Sequence, residues 1–202
     1  EDASTVGLLG AGWQARSHLR ALDAVGELDR VEVYSPTPES RTEYAAEMSD
    51  ALDLPVHARD DPESAVEDAD IVQCATNSLS PVFEREWLAP GSHVGLIRDS
   101  EAPPGFFEPE SFDAFAQSWS TITQREELGS QLNDREIPTK NVNNYIVEGE
   151  QPVPKFSERD TGTEPLCDWS NVPGLGSIVA GVREGRTSED GGTVFYNRGM
   201  GI

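Results

Sequence analysis

"GLLGAGWQA", residues 7–15, is a glycine-rich turn, and the residues on either side of it decide which fold the chain adopts. The short apolar run Val6–Leu9 leads into the turn and is typical of a buried parallel strand. Behind the turn, Ala15, Leu19 and Leu22 recur at helical spacing. A strand, a glycine turn and a helix in this order match a dinucleotide-binding fingerprint, with alanine at the third small position.

Each small residue of the turn has a physical role in such a site. Gly10 permits the tight turn, Gly12 leaves space for a pyrophosphate beside backbone N–H groups, and Ala15 lets the helix pack closely on the strand. The N-terminus of the helix then attracts the phosphates. The sequence therefore predicts cofactor binding through Gly10 and Gly12.

The chain beyond the turn alternates short apolar runs with helical segments. A helix over residues 37–52 begins at a Thr37 or Ser40 cap, and another begins at Asp61-Pro62. Further strands are predicted at residues 30–35, 54–58, 71–75 and 91–97. This alternation predicts an α/β fold with a Rossmann-like, doubly wound and mostly parallel sheet between two layers of helices.

The length of 202 residues suits one domain, so we expect a single NAD(P)-binding domain over residues 1–202. Residues 138–166 are rich in Pro, Asn and Gly, and this composition argues against a long regular element. We interpret them as an irregular insertion, either a lid or assembly arm or a disordered segment.

The charge of the chain excludes several classes of partner. A net charge of -22 would repel nucleic acid, and no basic cluster offers a local exception. The acidity fits either an ordinary acidic cytosolic protein or a halophilic one, whose salt-rich cytoplasm screens the repulsion. No apolar run is long enough to span a membrane and no signal peptide is evident, so we expect a cytoplasmic location.

The sequence offers no metal site. Cys74 and Cys167 form no paired motif, and His18, His57 and His93 lack the spacing of metal ligands. We therefore expect neither a metal nor a disulfide framework.

The end of the second predicted strand bears on which dinucleotide is preferred. An acid that binds the adenosine ribose is usual there in NAD-binding turns, but this chain has Tyr34, Ser35, Pro36 and Thr37. The two hydroxyls, with Arg41 one helical turn later, could accept a 2′-phosphate. This favours NADP(H), with NAD(H) as the alternative.

Four stretches together resemble the ornithine cyclodeaminase/mu-crystallin family, which includes an archaeal type of alanine dehydrogenase. They are "VGLLGAGWQARSHLRAL" (6–22), "VEVYSPTPE" (31–39), "ADIVQCATNSLSPVFEREWLAPGSHV" (69–94) and "LGSIVAGVREGRTSEDGGTVFYNRGMGI" (175–202). Members of this family bind NAD or NADP and transfer hydride at the carbon that bears an amine or imine.

The resemblance implies roles for particular residues. The pyrophosphate would lie on Gly10, Ala11, Gly12, Trp13 and Gln14, and the adenosine ribose near Ser35 and Thr37. The middle of the cofactor would contact Thr76, Asn77 and Ser78, and the loop after Ile97 would border the nicotinamide.

The family's catalytic acid is harder to place, because the loop "GLIRDSEAPPGFFEPE" (95–110) departs from the family pattern. Counting from its left end puts Ser100 at the position of the acid. Counting back from Pro104-Gly105 implies extra residues, with Asp99 or Glu101 as the carboxylate. We predict Asp99 as the catalytic acid. Phe106 stands where the family has lysine.

The resemblance implies the NAD(P)-binding domain of an ornithine cyclodeaminase- or alanine dehydrogenase-like enzyme, an oxidoreductase or lyase of amino-acid metabolism. Its substrate would be a small amino acid or imine. The family's substrate-binding and dimerisation domain precedes the nucleotide fold and is expected to be absent from this chain, which would bind cofactor without turnover. A homodimer would form through that domain. The alternative is a non-catalytic NADP(H)-binding protein.

Overall fold

A computed structural model describes residues 3–106, 113–116, 175–186 and 191–196 of the chain. These segments contain a parallel sheet in the order β3-β2-β1-β4-β5-β7-β6. The strands are β1 (Thr5–Leu9), β2 (Arg30–Tyr34), β3 (Val56–Ala58), β4 (Ile71–Cys74), β5 (His93–Leu96), β6 (Asp113–Ala116) and β7 (Thr193–Tyr196). The helices are α1 (Trp13–Val25), α2 (Pro38–Leu52), α3 (Glu63–Val66) and α4 (Leu175–Val179).

This architecture confirms the predicted Rossmann-like α/β fold. The chain leaves β1 in one direction through β2 to β3, then returns across the sheet to β4 on the other side of β1. The carboxyl ends of β1 and β4 therefore flank the point where the strand order reverses, which is where open α/β sheets bind ligands. The proposed insertion, residues 138–166, lies outside the described residues.

The side chains of alternate strand residues belong to two apolar clusters. Val31 and Val33 of β2 pack with Leu19 of α1 and with Tyr44 and Met48 of α2. In the second cluster, Val72 and Cys74 of β4 pack with Val66 of α3 and with the loop residues Phe83 and Phe106. Because neighbouring strand side chains point to opposite faces, the sheet is buried between these two layers.

The starts of α2 and α3 agree in part with those predicted from the sequence. Of the two predicted caps, Thr37 and Ser40, Thr37 is the N-cap residue of α2, but its hydroxyl makes no capping hydrogen bond. At α3 the carboxylate of Asp61 accepts the backbone N–H of Ser64 at 2.8 Å, which stabilises the first turn.

Asp70 joins the amino ends of β1 and β4. Its Oδ2 accepts the backbone N–H groups of Ser4 and Thr5, each at 2.9 Å, and the Thr5 hydroxyl at 2.7 Å. These hydrogen bonds lie at the amino edge of the sheet. The carboxyl ends of β1 and β4, which flank the reversal of strand order, are at the opposite edge.

No helix in the four described segments is both long enough and apolar enough to cross a bilayer.

Candidate functional site

The candidate site is the carboxyl edge of the sheet, where three strand ends meet. The backbone N–H of Gly10 donates to the carbonyl of Tyr34 at 2.8 Å, which joins the ends of β1 and β2. The N–H of Ala75 donates to the carbonyl of Leu9 at 2.8 Å, which joins the ends of β1 and β4. The predicted turn residues are therefore held by backbone hydrogen bonds on both sides.

Gly10 is required by the turn itself. Its φ of 110° is a conformation that side chains rarely adopt, and a Cβ there would lie 2.4 Å from the carbonyl oxygen of Ala75. Glycine at this position thus lets the ends of β1 and β4 approach each other closely.

Gly12 is different, because nothing in the described chain requires a glycine there. Its φ of -86° suits any residue, and apart from its chain neighbours no atom of the described residues lies within 4 Å of the place of a Cβ. Gly12 is also the N-cap residue of α1 and provides no side-chain cap, and the first N–H groups of a helix have no partner within the helix. The space and the donors fit a phosphate group.

The remaining fingerprint residues surround this opening. Trp13, the first residue of α1, is 80% exposed. Ala11 and Gln14 are half-buried, and Ala15 is completely buried against the sheet. The tight contact of Ala15 is the one expected of the third small position.

Arg16 holds the fingerprint turn from behind. Its Nη1 donates to the carbonyl oxygens of Ala11 and Gly12 at 3.0 and 3.1 Å. With these carbonyls fixed, the peptide units of the turn have a defined orientation. This role was not predicted from the sequence, although a guanidinium one helical turn after Gly12 is within reach of the carbonyl groups of the turn.

The residues predicted at the adenosine ribose lie at the end of β2. Ser35 is half-buried and Thr37 is exposed. Arg41 is 9% exposed, and its guanidinium donates to the carbonyl of Ser35 at 3.0 Å and to Asp60 at 2.6 Å. Arg41 therefore fixes the backbone of this turn as well as adding charge beside it.

The polar turn after β4 is ordered by hydrogen bonds of its own. The hydroxyl of Thr76 accepts the backbone N–H of Ser78 at 3.2 Å, and the hydroxyl of Ser78 donates to the carbonyl of Ser80 at 2.7 Å. Asn77 lies between them and is exposed. The three residues predicted to contact the middle of the cofactor thus form one compact turn.

The loop after β5 is anchored by two buried side chains. Phe106 is 1% exposed and packs edge-on against Phe83 with 5.1 Å between ring centroids. Glu101 is completely buried, and its carboxylate accepts hydrogen bonds from Thr76, Ile97 and Arg98. Burial raises the pKa of Glu101, and the hydrogen bonds oppose part of that rise.

The two carboxylates weighed for the catalytic acid differ in placement. Glu101 is enclosed by protein, so its carboxylate cannot meet a substrate. Asp99 begins the 3₁₀ turn Asp99–Glu101 directly after the candidate edge, and its side chain lies outside the described part of the structure. Ile97 is buried, with its N–H bound to Glu101 at 3.0 Å.

The chain is similar to known proteins in family, in sequence and in structure. The model of the ornithine cyclodeaminase/mu-crystallin family matches residues 1–202. A Delta(1)-pyrroline-2-carboxylate reductase of Paracoccus denitrificans is 36% identical over 98% of the chain and 55% of its own length. The chain spans about half the length of the curated relatives it matches.

Two solved structures show the same fold. The Delta(1)-pyrroline-2-carboxylate reductase of Thermococcus litoralis, in complex with NADH and L-proline, superposes with a TM-score of 0.69 at 24% identity, over 97% of this chain and 53% of that one. An archaeal alanine dehydrogenase dimer with bound NAD gives a TM-score of 0.67 at 18% identity, over 97% of this chain and 52% of that one.

Proposed function

Because the chain belongs to the ornithine cyclodeaminase/mu-crystallin family, we propose that residues 1–202 form the NAD(P)-binding part of an enzyme that acts by hydride transfer on a small amino or imino acid. The reacting carbon is the one that bears the amine or imine. The bound nicotinamide ring would supply or accept the hydride.

The open space at Gly12 carries this proposal. The chain needs a glycine at position 10 for its own turn, whereas at position 12 the open space suits a ligand that approaches the backbone. The first N–H groups of α1 and the positive end of its dipole would hold the pyrophosphate there. Trp13 and Gln14 would border it.

The other predicted residues follow from their places on the same edge. Ser35 and Thr37 would bind the adenosine ribose, and the compact turn of Thr76, Asn77 and Ser78 would contact the middle of the cofactor. The backbone after Ile97 would border the nicotinamide, with Asp99 as the acid that exchanges a proton with the substrate nitrogen.

NADP(H) is the cofactor that we favour over NAD(H). No carboxylate follows β2 within the turn, and the exposed hydroxyl of Thr37 is not used to cap α2. Arg41 brings a positive charge to the same turn through its bond to the Ser35 carbonyl. A 2′-phosphate would find hydroxyl donors and the Arg41 guanidinium there, and it would compete with the exposed Asp60 carboxylate for that guanidinium.

The substrate class is proposed from the relatives. The relative that is 36% identical is a Delta(1)-pyrroline-2-carboxylate reductase, and so is one of the two solved structures described above. We therefore favour a cyclic imino acid as the substrate. The part of these longer proteins that residues 1–202 do not match would bind the substrate and form the homodimer. We expect the enzyme to work in the cytoplasm.

A cofactor-binding protein without turnover is the second candidate. The resemblance puts Phe106 where the family has lysine, and the ring of Phe106 is buried against Phe83. A polar group expected beside the reacting atoms is thereby replaced by an apolar anchor.

Replacement of Gly12 by valine tests the proposal. The change should leave the melting temperature near that of the wild type, because the space is open, but it should abolish the binding of NADH and NADPH in titration calorimetry. Gly26→Ala is the matched control at the other end of α1, where a Cβ meets only an ordinary contact 3.5 Å from the Leu22 carbonyl. A folded wild-type chain that binds neither dinucleotide would contradict the proposal.

A further inference from the structure

The carboxylate of Glu101 connects two separate loops of the candidate site. Its Oε1 accepts the backbone N–H and the hydroxyl of Thr76, both at 2.8 Å. Its Oε2 accepts the N–H groups of Ile97 and Arg98 at 3.0 and 2.9 Å. Thr76 follows β4 and Ile97 follows β5, so one side chain binds the ends of two neighbouring strands.

The connection continues into the polar turn. The same Thr76 hydroxyl that donates to Glu101 accepts the N–H of Ser78. The hydroxyl of Ser100 donates to the carbonyl of Ser78 at 2.9 Å, which adds a second link between the two loops. Outside the carboxylate, the backbone carbonyl of Glu101 accepts the N–H of Val82 at 2.9 Å.

Only a carboxylate satisfies this arrangement. Each of its two oxygens faces two donors, and an ionised carboxylate is a pure acceptor with room for about four hydrogen bonds. Glutamine has nearly the same shape, but its NH₂ group would face the donors of one loop. Glu101 is completely buried, so water cannot replace a lost partner.

We propose that Glu101 is a positioning residue that holds the Thr76–Ser78 turn and the loop after Ile97 in register, so that the nicotinamide half of the cofactor is bound. This inference rests on the proposed function. The proposed site then has two parts: the fingerprint at Gly10–Gln14, and the nicotinamide side, whose loops donate the hydrogen bonds to the Glu101 carboxylate.

The experiment compares Glu101→Gln with Asp70→Asn. Asp70 also accepts several hydrogen bonds from neighbouring segments, but it does so at the amino edge of the sheet. Each chain is titrated with NADH and, by competition, with ADP, which lacks the nicotinamide half. Thr76→Val is included as a second change, because it removes the hydroxyl that donates to Glu101 and accepts the Ser78 N–H, while the three backbone donors to Glu101 remain.

We expect Glu101→Gln to weaken NADH binding about tenfold or more and to leave ADP binding unchanged. Thr76→Val should weaken NADH binding by a smaller factor and should also leave ADP binding unchanged. Asp70→Asn should lower the melting temperature without a change in either affinity. Unchanged NADH affinity in Glu101→Gln, or an equal loss of ADP affinity, would overturn the proposal.

Amide hydrogen exchange gives a second test that needs no ligand and also covers a wild-type chain that binds no NADH. In Glu101→Gln the N–H groups of Thr76, Ile97 and Arg98 should exchange faster, whereas in Asp70→Asn those of Ser4 and Thr5 should. Unchanged protection of the first three amides in Glu101→Gln would show that Glu101 does not hold the loops. Failure of NADH binding with altered protection would instead count against the proposed function alone.

Discussion

The guanidinium of Arg16 on α1 lies 2.6 Å from the carboxylate of Glu47 on α2. Two further hydrogen bonds from Nε, at 3.0 and 2.9 Å, make the contact bidentate, and the guanidinium lies over the ring of Tyr44. The hydrogen bonds from Arg16 lower the pKa of Glu47. Since the same guanidinium binds the carbonyls of Ala11 and Gly12, α2 helps to set the shape of the fingerprint turn.

Arg16→Gln should therefore weaken cofactor binding by about fivefold, as expected for the loss of about 1 kcal/mol of hydrogen bonding at the turn. Fluorescence titration with NADH measures the effect. Arg30→Gln is the matched control, because Arg30 forms an ion pair with Glu32 at 3.5 Å on β2, away from the turn. Equal affinities for the two variants would show that Arg16 does not shape the site.

Ser35→Asp should reverse the preference between the two dinucleotides. The wild type is expected to bind NADPH more tightly than NADH, and a carboxylate at position 35 would repel the 2′-phosphate while it could accept the ribose hydroxyl. The loss for NADPH should be about tenfold or more. Ser35→Ala separates the loss of the hydroxyl from the added charge. Tighter binding of NADH by the wild type would contradict the preference.

The parts of the fold that depend on local sequence were predictable. A strand, Gly10 in a turn and a helix with Ala15 and Leu19 on its inner face form a pattern that is carried by neighbouring residues and can be read from the sequence. The strand order was less accessible, because β7 enters the sheet between β5 and β6 although β6 precedes it in the chain. That order depends on a connection of many residues and leaves no trace in local spacing.

The residues of the candidate site also differ in how far the local sequence predicts them. Gly10 is distinctive because its backbone conformation favours glycine, and Gly12 is distinctive through its place in the fingerprint pattern. Glu101 is not distinctive, since a glutamate among Asp, Ser and Pro is usually a solvated loop residue. Its burial results from two strand ends that meet only in the folded chain. The prediction of Asp99 as the catalytic acid depended only on the resemblance of the chain to the family.

His93 should make stability depend on pH. Burial lowers the pKa of His93, with a smaller effect from Arg186, and its Nδ1 lies 2.7 Å from the Thr193 hydroxyl. A folded-state pKa below the unfolded value of about 6.5 means that this contribution to stability is present above that pH. It is lost as the pH falls through the lower folded-state pKa.

Replacement of His93 by asparagine, which can keep a hydrogen bond to Thr193, should remove this part of the pH dependence. Urea unfolding between pH 7 and pH 5 should show a smaller loss of unfolding free energy in His93→Asn than in the wild type, because protonation at position 93 no longer contributes. Parallel stability curves for the two proteins would contradict the assignment.

The net charge of -22 should make the chain most stable in salt. The screening length falls from roughly 30 Å at 0.01 M to about 3 Å at 1 M, so repulsion among surface carboxylates is largely removed. The melting temperature should rise steeply over the first few tenths molar KCl, where screening changes most, and more slowly beyond. A melting temperature that does not respond to KCl would argue against a salt-rich cytoplasm.

Asp99→Asn should separate chemistry from binding. Asp99 begins the 3₁₀ turn that directly follows Ile97 and Arg98, whose N–H groups Glu101 fixes, so its backbone is held at the candidate edge. Loss of an acid that exchanges a proton with the substrate should lower kcat by about 100-fold or more. Neither the NADH affinity nor the melting temperature should change, because the amide has the same size.

The assay follows NAD(P)H absorbance with a cyclic imino acid, alanine and ornithine in molar KCl, for residues 1–202 and for any longer natural form. Asp50→Asn is the matched control, since it removes the same charge from an exposed position on α2. Equal kcat values for the two variants would remove Asp99 from the mechanism. If the wild type binds NADPH but neither form turns over any of the three substrates, the binding protein without turnover becomes the better explanation, and the buried ring of Phe106 its structural cause.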